Sequence, residues 1–421
     1  MTDGRGFGNF RVSGAFLLIK EALRCRIVPV IFVSHPAEES STKRRGNIMA
    51  GIIEMQETEE KKKSKRKKVK KVMLIVIGVI LVLLVLAALI LPKPLAMSVY
   101  KDNFGKRLTT YDPLSWSIDD FDGLLRDRYT FESDKGQVLV GYKYYRENTE
   151  PKGLVVLAHG FGGGGHRSYM NVADYFASNG YFVFAYDATG NDESEGNEVG
   201  GLPQGVIDLD YALRFVKSNA DFAGLPIVLW GHSWGGYSVG SVVKLHPDVK
   251  ATVIVAGFNE SLDMIETEGR NIVGNAVDFV LSYFAKYEKK TFGEYATISV
   301  LDSLDATDAR VMIVHSVDDE MIPFDISYAR YYEKYADNER FTFVRYEDRG
   351  HNYVFCSDDR KEYVEEYNVA AAEYKERVGE ITEEMRAAYY EEYFDKHKGY
   401  ELESELMAQM LELYNNSIGL E

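Results

Sequence analysis

Short apolar segments bounded by glycine alternate with helix-like segments after residue 128, and this alternation limits the folds that the chain can adopt. The apolar segments are rich in β-branched residues and have the length of strands buried on both faces. We predict strands at 154–158, 181–186, 226–230, 251–256, 311–314 and 341–344. Together with a hairpin over 128–142, they predict an α/β fold with a mostly parallel sheet flanked by helices.

Composition excludes several classes of protein. The 421 residues include only two cysteines, Cys25 and Cys356, which is too few for a disulfide framework or a cysteine-built metal centre. The formal net charge of −16 argues against a general nucleic-acid binder, because such proteins usually carry a basic surface. We therefore expect no metal, no cofactor and no nucleic-acid partner.

A run of twenty apolar residues, 72–91, follows a block in which nine of the eleven residues 61–71 are Lys or Arg. A helix of this length spans roughly 30 Å, the thickness of the bilayer hydrocarbon. The run predicts a transmembrane helix rather than a core helix, since core helices keep a polar face. A cleaved signal peptide is the alternative, although 91–96 contains no typical cleavage site.

The basic block also predicts an orientation. Clusters of Lys and Arg stay on the cytoplasmic side, so residues 1–71 are expected to be cytoplasmic and the remainder extracytoplasmic. This makes the chain a single-pass protein of the cell membrane. Residues 1–48 are interpreted either as an over-extended start, since Met49 or Met55 would be a more ordinary one, or as a tail without a readable function.

The motif G-H-S-W-G-G at 231–236 lies directly between the predicted strand 226–230 and a helix-like stretch. A serine on such a strained turn is lifted above the edge of the sheet, at a helix N-terminus that favours negative charge. We predict that Ser233 is a nucleophile. The backbone N–H of Trp234 is then placed to stabilise an oxyanion.

A second glycine-rich segment, H-G-F-G-G-G-G-H at 159–166, follows the strand 154–158. It lacks the Lys-Ser/Thr ending of a phosphate-binding loop and the spacing of a dinucleotide fingerprint. It does match a loop that supplies an oxyanion-hole N–H, which we assign to Phe161. His159 and His166 are interpreted as structural residues rather than metal ligands.

A serine hydroxyl is a weak nucleophile unless a base takes its proton. The acid and the base of such a triad follow the serine in that order along the chain. His351 follows the last predicted strand and is the candidate base. The loop after 311–314 supplies the acid, and both Asp318 and Asp319 lie in it.

With these motifs, residues 125–357 resemble the α/β-hydrolase superfamily, nearest to its serine-aminopeptidase-like and monoglyceride-lipase-like branch. Loops of that family read H-G-x-x-D-x-x-V-P. Alignment on His315 and Pro323 implies that Asp319 is the triad acid. The stretch 187–194 resembles the family pattern D-x-R-G-x-G-x-S with Thr and Asp in place of Arg and the second Gly, which leaves the shape of a substrate loop open.

The resemblance also implies a domain plan. Residues 92–128 are expected to be a linker, 129–357 the hydrolase domain, and about 259–305 a helical lid that gates Ser233 through 272–284. An ordinary surface helix pair is the alternative to the lid. Residues 358–421 are expected to form a helical extension, either docked on the domain or used for self-association or a partner.

The expected function is that of a membrane-anchored serine hydrolase acting on acyl esters, as a carboxylesterase or lipase. Ser233, Asp319 and His351 would form the triad. A serine aminopeptidase or acyl-peptide hydrolase is the alternative, and a non-catalytic binding protein on the same fold is the third. The substrate is expected to be a small molecule, a lipid or a peptide, because fold alone does not define it further.

Overall fold

The computed structural model describes residues 48–90 and 92–420, and within the first helix it describes the side chains of residues 61–83. The described residues fall into two compact units that divide before Val99. The first 47 residues lie outside the described part. They include Cys25 and most of the predicted cytoplasmic tail.

The first unit contains a long helix, α1 (Ile48–Ile90), which carries the basic block and most of the apolar run. In the part of the chain that the structure describes, no helix is long and apolar enough to cross a membrane. The transmembrane helix predicted over 72–91 is therefore not confirmed. The side chains of its residues 84–91 lie outside the described part.

The second unit is built on an eight-stranded sheet in the order β1-β2-β4-β3-β5-β6-β7-β8. The pairs β1–β2 and β2–β4 are antiparallel and the other five pairs are parallel, so the sheet is mostly parallel, as predicted. The strands are β1 (Leu124–Glu132), β2 (Val138–Arg146), β3 (Leu154–Ala158), β4 (Phe182–Tyr186), β5 (Ile227–His232), β6 (Ala251–Val255), β7 (Arg310–Ser316) and β8 (Phe341–Tyr346).

Helices connect the parallel strands, because a parallel pair needs a crossover rather than a tight turn. Beyond α1, the helices are α2 (Pro92–Phe104), α3 (Met170–Ser178), α4 (Pro203–Ser218), α5 (Trp234–Val242), α6 (Ser261–Val273), α7 (Asp278–Phe292), α8 (Val300–Asp305), α9 (Tyr328–Tyr335), α10 (Asp359–Val378), α11 (Glu383–Tyr393), α12 (Lys396–Gly399) and α13 (Ser404–Ser417).

The segment assigned to a linker, 92–128, differs from that expectation from Val99 onwards. Aromatic side chains of this segment are buried in the second unit and add apolar area to its core. The sequence of the segment has no strand or helix periodicity that would predict this burial. The ring of Phe104 lies 5.4 Å from that of Phe161. The buried aromatic residues are Tyr100, Phe104, Trp116 and Phe121.

Helix α13 forms part of the core of the sheet. Leu406, Met407, Met410 and Tyr414 are each at most 1% exposed and pack with the residues of one sheet face. The hydroxyl of Tyr414 donates to the carbonyl of Leu229 in β5 over 2.7 Å. Removing this helix would uncover a large apolar area, so the last part of the predicted extension belongs to the fold itself.

The sheet register brings the candidate residues to one edge. Ala158 pairs with Gly231, so the glycine-rich segment and the turn at Ser233 begin side by side. Strands β7 and β8 run parallel beside them and end at Ser316 and Tyr346, just before the two other candidate residues. In open α/β sheets this carboxyl edge is where ligands bind.

Candidate active site

Ser233 occupies a strained turn between β5 and α5. Its backbone has φ 58° and ψ −117°, a conformation rare for a residue with a side chain. Two glycines permit the turn: a Cβ on Gly231 would lie 2.3 Å from the carbonyl oxygen of Gly235, and one on Gly235 would lie 2.0 Å from that of Ala158. The Ser233 N–H donates to the carbonyl of Val255 over 2.8 Å. The turn therefore fixes the direction of the serine side chain.

The structure brings Ser233, His351 and Asp319 together. Nε2 of His351 lies 2.9 Å from Oγ of Ser233, and Nδ1 of His351 lies 2.8 Å from Oδ2 of Asp319. All three residues are buried. A histidine that donates to a carboxylate through Nδ1 presents an unprotonated Nε2, which can accept the proton of a serine hydroxyl.

The two neighbouring aspartates have different partners. Asp319 accepts the backbone N–H groups of Met321 and Ile322 through Oδ1, which leaves Oδ2 for His351. Burial by itself would raise the pKa of Asp319, but the interaction with His351 and these hydrogen bonds hold the pKa below its ordinary value. Asp318 instead accepts from the Ser316 hydroxyl and the Gly350 N–H.

A hydrogen-bond chain behind His351 was not anticipated from the sequence. Nε2 of His232 lies 3.0 Å from the carbonyl oxygen of His351, so it must carry the proton. Nδ1 then accepts from the hydroxyl of Tyr169 at 2.9 Å, and that hydroxyl accepts the Gly160 N–H. The chain connects the backbone of His351 to the glycine-rich segment. In the sequence, His232 is visible only as the residue at the first variable position of the G-x-S-x-G motif, which by itself does not predict this contact.

We expect His232→Leu to lower the turnover of any substrate processed at Ser233 by about tenfold, since two buried hydrogen bonds are lost. His232→Gln should lose less, because its amide can still donate to the His351 carbonyl. Burial lowers the pKa of His232 to about 3, so the ring stays neutral and the pH profile should not move. Initial rates from pH 5 to 9 test this; a shifted pH optimum in His232→Leu would contradict it.

The two residues assigned to an oxyanion hole pack against each other. Trp234 is the first residue of α5, and its ring lies 5.6 Å from that of Phe161 in an edge-to-face contact. The indole N–H of Trp234 donates to the carbonyl of Leu202 over 2.7 Å. These side-chain contacts restrain the backbones of Phe161 and Trp234.

Asp192, one of the two departures from the family pattern, holds the neighbouring loops together. Its carboxylate accepts the backbone N–H groups of Thr110 and Gly165 at 2.6 and 2.9 Å. The other departure, Thr189, donates through its hydroxyl to the buried carboxylate of Asp208 over 2.9 Å. The two hydrogen bonds of Asp192 join the glycine-rich segment to residues 109–116, which form a wall of the site.

The histidines of the glycine-rich segment have structural partners. Nε2 of His159 accepts the Ala188 N–H at 3.0 Å, and Nδ1 of His166 lies 2.7 Å from Asp187. Among residues 48–90 and 92–420, no group of three or more His, Cys, Asp or Glu side chains is arranged to hold a metal ion.

Ser233 and His351 open onto a cavity of about 220 Å³. Ten of the described residues that line it are Phe, Tyr or Trp. They come from the segment 109–116, from residues 161–169, and from residues beyond His351. The aromatic lining consists of Tyr111, Trp116, Phe161, Tyr169, Tyr353, Phe355, Tyr367, Tyr390, Phe394 and Tyr400.

Residues 358–400, here called the cap, leave the domain after β8 and return to the same place. The Ser357 N–H donates to the carbonyl of Glu401, and the Glu403 N–H donates to that of Phe355, at 2.8 and 3.0 Å. The cap contains α10, α11 and α12. Nζ of Lys396 ties it to the wall of the site by donating to the carbonyl of Ser115 over 3.0 Å, and it also pairs with Asp120 at 2.6 Å. The extension predicted for 358–421 is thus a cap followed by a core helix.

The lid predicted over 259–305 lies elsewhere. Helices α6 and α7 are present, but no described residue of this segment lines the cavity at Ser233. The ring of Phe284 stacks against Tyr100 at 5.8 Å, and Phe279 is 83% exposed. The amphipathic pattern of 272–284 therefore reflects packing against the segment after Val99. The cap and the segment 109–116 cover the cavity instead.

Comparison with known proteins agrees with this architecture. Residues 149–280 match the family model of the serine aminopeptidases, S33. A monoacylglycerol lipase of Mycolicibacterium smegmatis is 30% identical over 122 residues, which are 29% of this chain and 43% of that protein. Human monoglyceride lipase is 32% identical over 94 residues, 22% of this chain and 31% of that protein.

The second unit has the α/β-hydrolase fold. The alignments cover less than half of either lipase, and the matched segment 149–280 includes Ser233 but ends before Asp319 and His351. The esterase Pf2001 of Pyrococcus furiosus is 16% identical, with a TM-score of 0.44, over 62% of this chain and 94% of that one. The cap of this α/β-hydrolase domain lies outside the segment that the family model matches.

Proposed function

We propose that this chain is a serine hydrolase that cleaves acyl esters, as a carboxylesterase or lipase-like enzyme. The observation that carries the proposal is the continuous hydrogen-bonded series from Ser233 through His351 to Asp319, at 2.9 and 2.8 Å, on a strained turn. Similarity to two lipases over part of their length supports the ester as the bond that is cleaved.

In this proposal the Ser233 hydroxyl attacks the ester carbonyl while Nε2 of His351 accepts its proton. Asp319 holds the tautomer and stabilises the imidazolium that forms. The backbone N–H groups of Phe161 and Trp234 stabilise the oxyanion, a contribution of about 2.7–4 kcal/mol per donor in comparable sites. His351 then protonates the leaving alcohol, and water enters by the same route to release the acid.

The cavity favours short esters over amine substrates. Its volume of about 220 Å³ is below the roughly 300–1,000 Å³ of pockets for drug-sized ligands, which favours short acyl groups. An aminopeptidase needs an acidic group for the substrate amine. Among the described residues that line the cavity there is none, whereas Arg360 is present.

A panel of 4-nitrophenyl esters from acetate to palmitate, beside aminoacyl 4-nitroanilides, tests the proposal on the full chain. We expect hydrolysis of the short esters and little turnover of the anilides. A fluorophosphonate probe gives an independent readout of an activated serine. Preferential cleavage of the anilides would favour the aminopeptidase, and neither turnover nor labelling would indicate a non-catalytic protein.

We also propose, from the sequence, that residues 72–91 anchor the chain with the α/β-hydrolase domain outside the cytoplasm. The support is the uninterrupted apolar run and the nine basic residues before it. Alkaline phosphatase fused after Glu421 should then be active, and a cytoplasmic reporter at the same site should be inactive. A domain that resists added protease until the membrane is broken would contradict this orientation.

A further inference from the structure

Arg360 is a buried cation at the wall of the cavity that contains Ser233. It is 7% exposed and lies in the first turn of α10, in the cap. Its Nε donates to the carbonyl of Gly399 over 2.8 Å, and its guanidinium lies 3.5 Å from the ring centroid of Tyr353. These two contacts fix the guanidinium plane but supply no negative charge.

Two nearby carboxylates pair with other cations, and a third, that of Glu365, lines a neighbouring cavity with Arg360 but is exposed to solvent. Asp358 pairs with Arg349 and with Lys361, at 3.1 and 3.0 Å. Lys361 is also 3.0 Å from Asp348. In the part of the chain that the structure describes, no carboxylate forms an ion pair with Arg360.

The titratable groups facing the guanidinium are neutral. Burial raises the pKa of the Cys356 thiol to about 12, so a thiolate is not available as a counter-ion. Burial likewise raises the pKa values of Tyr353 and Tyr400 above their ordinary range. A buried charge without a partner is costly, and it is usually retained where an anion compensates it.

We infer that Arg360 binds a carboxylate carried by the ester substrate. The inference rests on the proposed function and adds a substrate class to it: esters with a second, anionic group at a fixed distance from the scissile bond. A guanidinium suits this role because it donates two parallel hydrogen bonds to a carboxylate. The carboxylate could belong to the acyl group or to the alcohol, and the chemistry at Arg360 is the same in both cases.

Two matched pairs of esters distinguish these sources. Mono-4-nitrophenyl glutarate carries the carboxylate on the acyl side, and 4-nitrophenyl 5-methylhexanoate has the same shape without the charge. 4-Acetoxybenzoate carries it on the alcohol side, with phenyl acetate as the neutral partner. For whichever of the two anionic esters places its carboxylate at Arg360, we expect Arg360→Gln to raise KM at least about tenfold, because a charge-assisted hydrogen bond is lost. Its kcat, and both constants for the neutral partner, should stay within about threefold.

Two further variants distinguish binding of the substrate carboxylate by Arg360 from a purely structural role of Arg360 in the cap. Arg360→Lys keeps the charge and should recover part of the anionic preference. Lys361→Gln removes a neighbouring, half-exposed charge that does not line the Ser233 cavity, and it should leave both pairs unchanged. Equal losses on anionic and neutral esters, or an unchanged ratio in Arg360→Gln, would overturn the inference. Failure of the wild type on all four esters, without fluorophosphonate labelling, would overturn the proposed function itself.

Discussion

Ser233→Ala should reduce ester hydrolysis by roughly a million-fold in kcat, the loss found when the nucleophile of a serine hydrolase is removed. The reason is that, among the hydrogen bonds of the described residues, the Ser233 hydroxyl is the partner of Nε2 of His351, at 2.9 Å, and the variant lacks this nucleophile. Fluorophosphonate labelling followed by mass spectrometry should locate the adduct on Ser233 in the wild type. It should find no adduct in the variant.

Ser238→Ala is the matched control for this experiment. Ser238 is a buried serine in α5, the helix that follows Ser233, and its hydroxyl donates to the carbonyl of Trp234 over 2.8 Å rather than to His351. This variant should retain labelling and most of its activity. Labelling that survives in Ser233→Ala would assign the nucleophile to another residue.

Asp319→Asn should lower kcat by roughly 10⁴-fold, whereas Asp318→Asn should lose less than about tenfold. In the first variant the amide oxygen can still accept the Met321 and Ile322 N–H groups, so its NH₂ faces Nδ1 of His351. His351 then carries its proton on Nε2 and cannot accept one from Ser233. In the second variant the amide oxygen keeps both of its donors, the Ser316 hydroxyl and the Gly350 N–H.

This pair of variants is informative because both substitutions remove one negative charge from the same loop. Measured on the preferred 4-nitrophenyl ester, the difference between them reports geometry rather than charge. Thermal unfolding should be recorded for both, since Asp318 orders the backbone next to His351. A larger loss in Asp318→Asn, with an intact fold, would reverse the assignment of the acid.

The parts of the structure that the sequence predicted are those that depend on local signals. The β-branched runs locate the six strands from β3 to β8, and the hairpin signal locates β1 and β2. Gly231 is required by a contact with Gly235, four residues away. His351 and Asp319 could be named because parallel strands bring their carboxyl ends to one edge. The choice between Asp318 and Asp319 needed a family loop pattern as well.

The parts that were missed depend on contacts between distant residues. The three- and four-residue spacing in 363–389 predicts a helix, but it does not say whether the helix covers the sheet or the cavity. The family resemblance and the amphipathic pattern of 272–284 predict a lid over 259–305, but Phe284 stacks on Tyr100, which lies in the segment predicted to be a linker. The contact between His232 and the His351 carbonyl joins residues 119 positions apart.

The two ends of the cap lie next to each other, so the cap is inserted into the domain at a single place. The backbone at 355–357 pairs with that at 401–403, so the chain enters and leaves the cap at neighbouring points. A short turn could join these points without moving β8 or α13, and loop closure costs little when the ends already meet. Residues 358–400 could therefore be replaced by another segment, in evolution or by engineering. Such a replacement would change the substrate specificity of the site while Ser233, His351 and Asp319 stay in place.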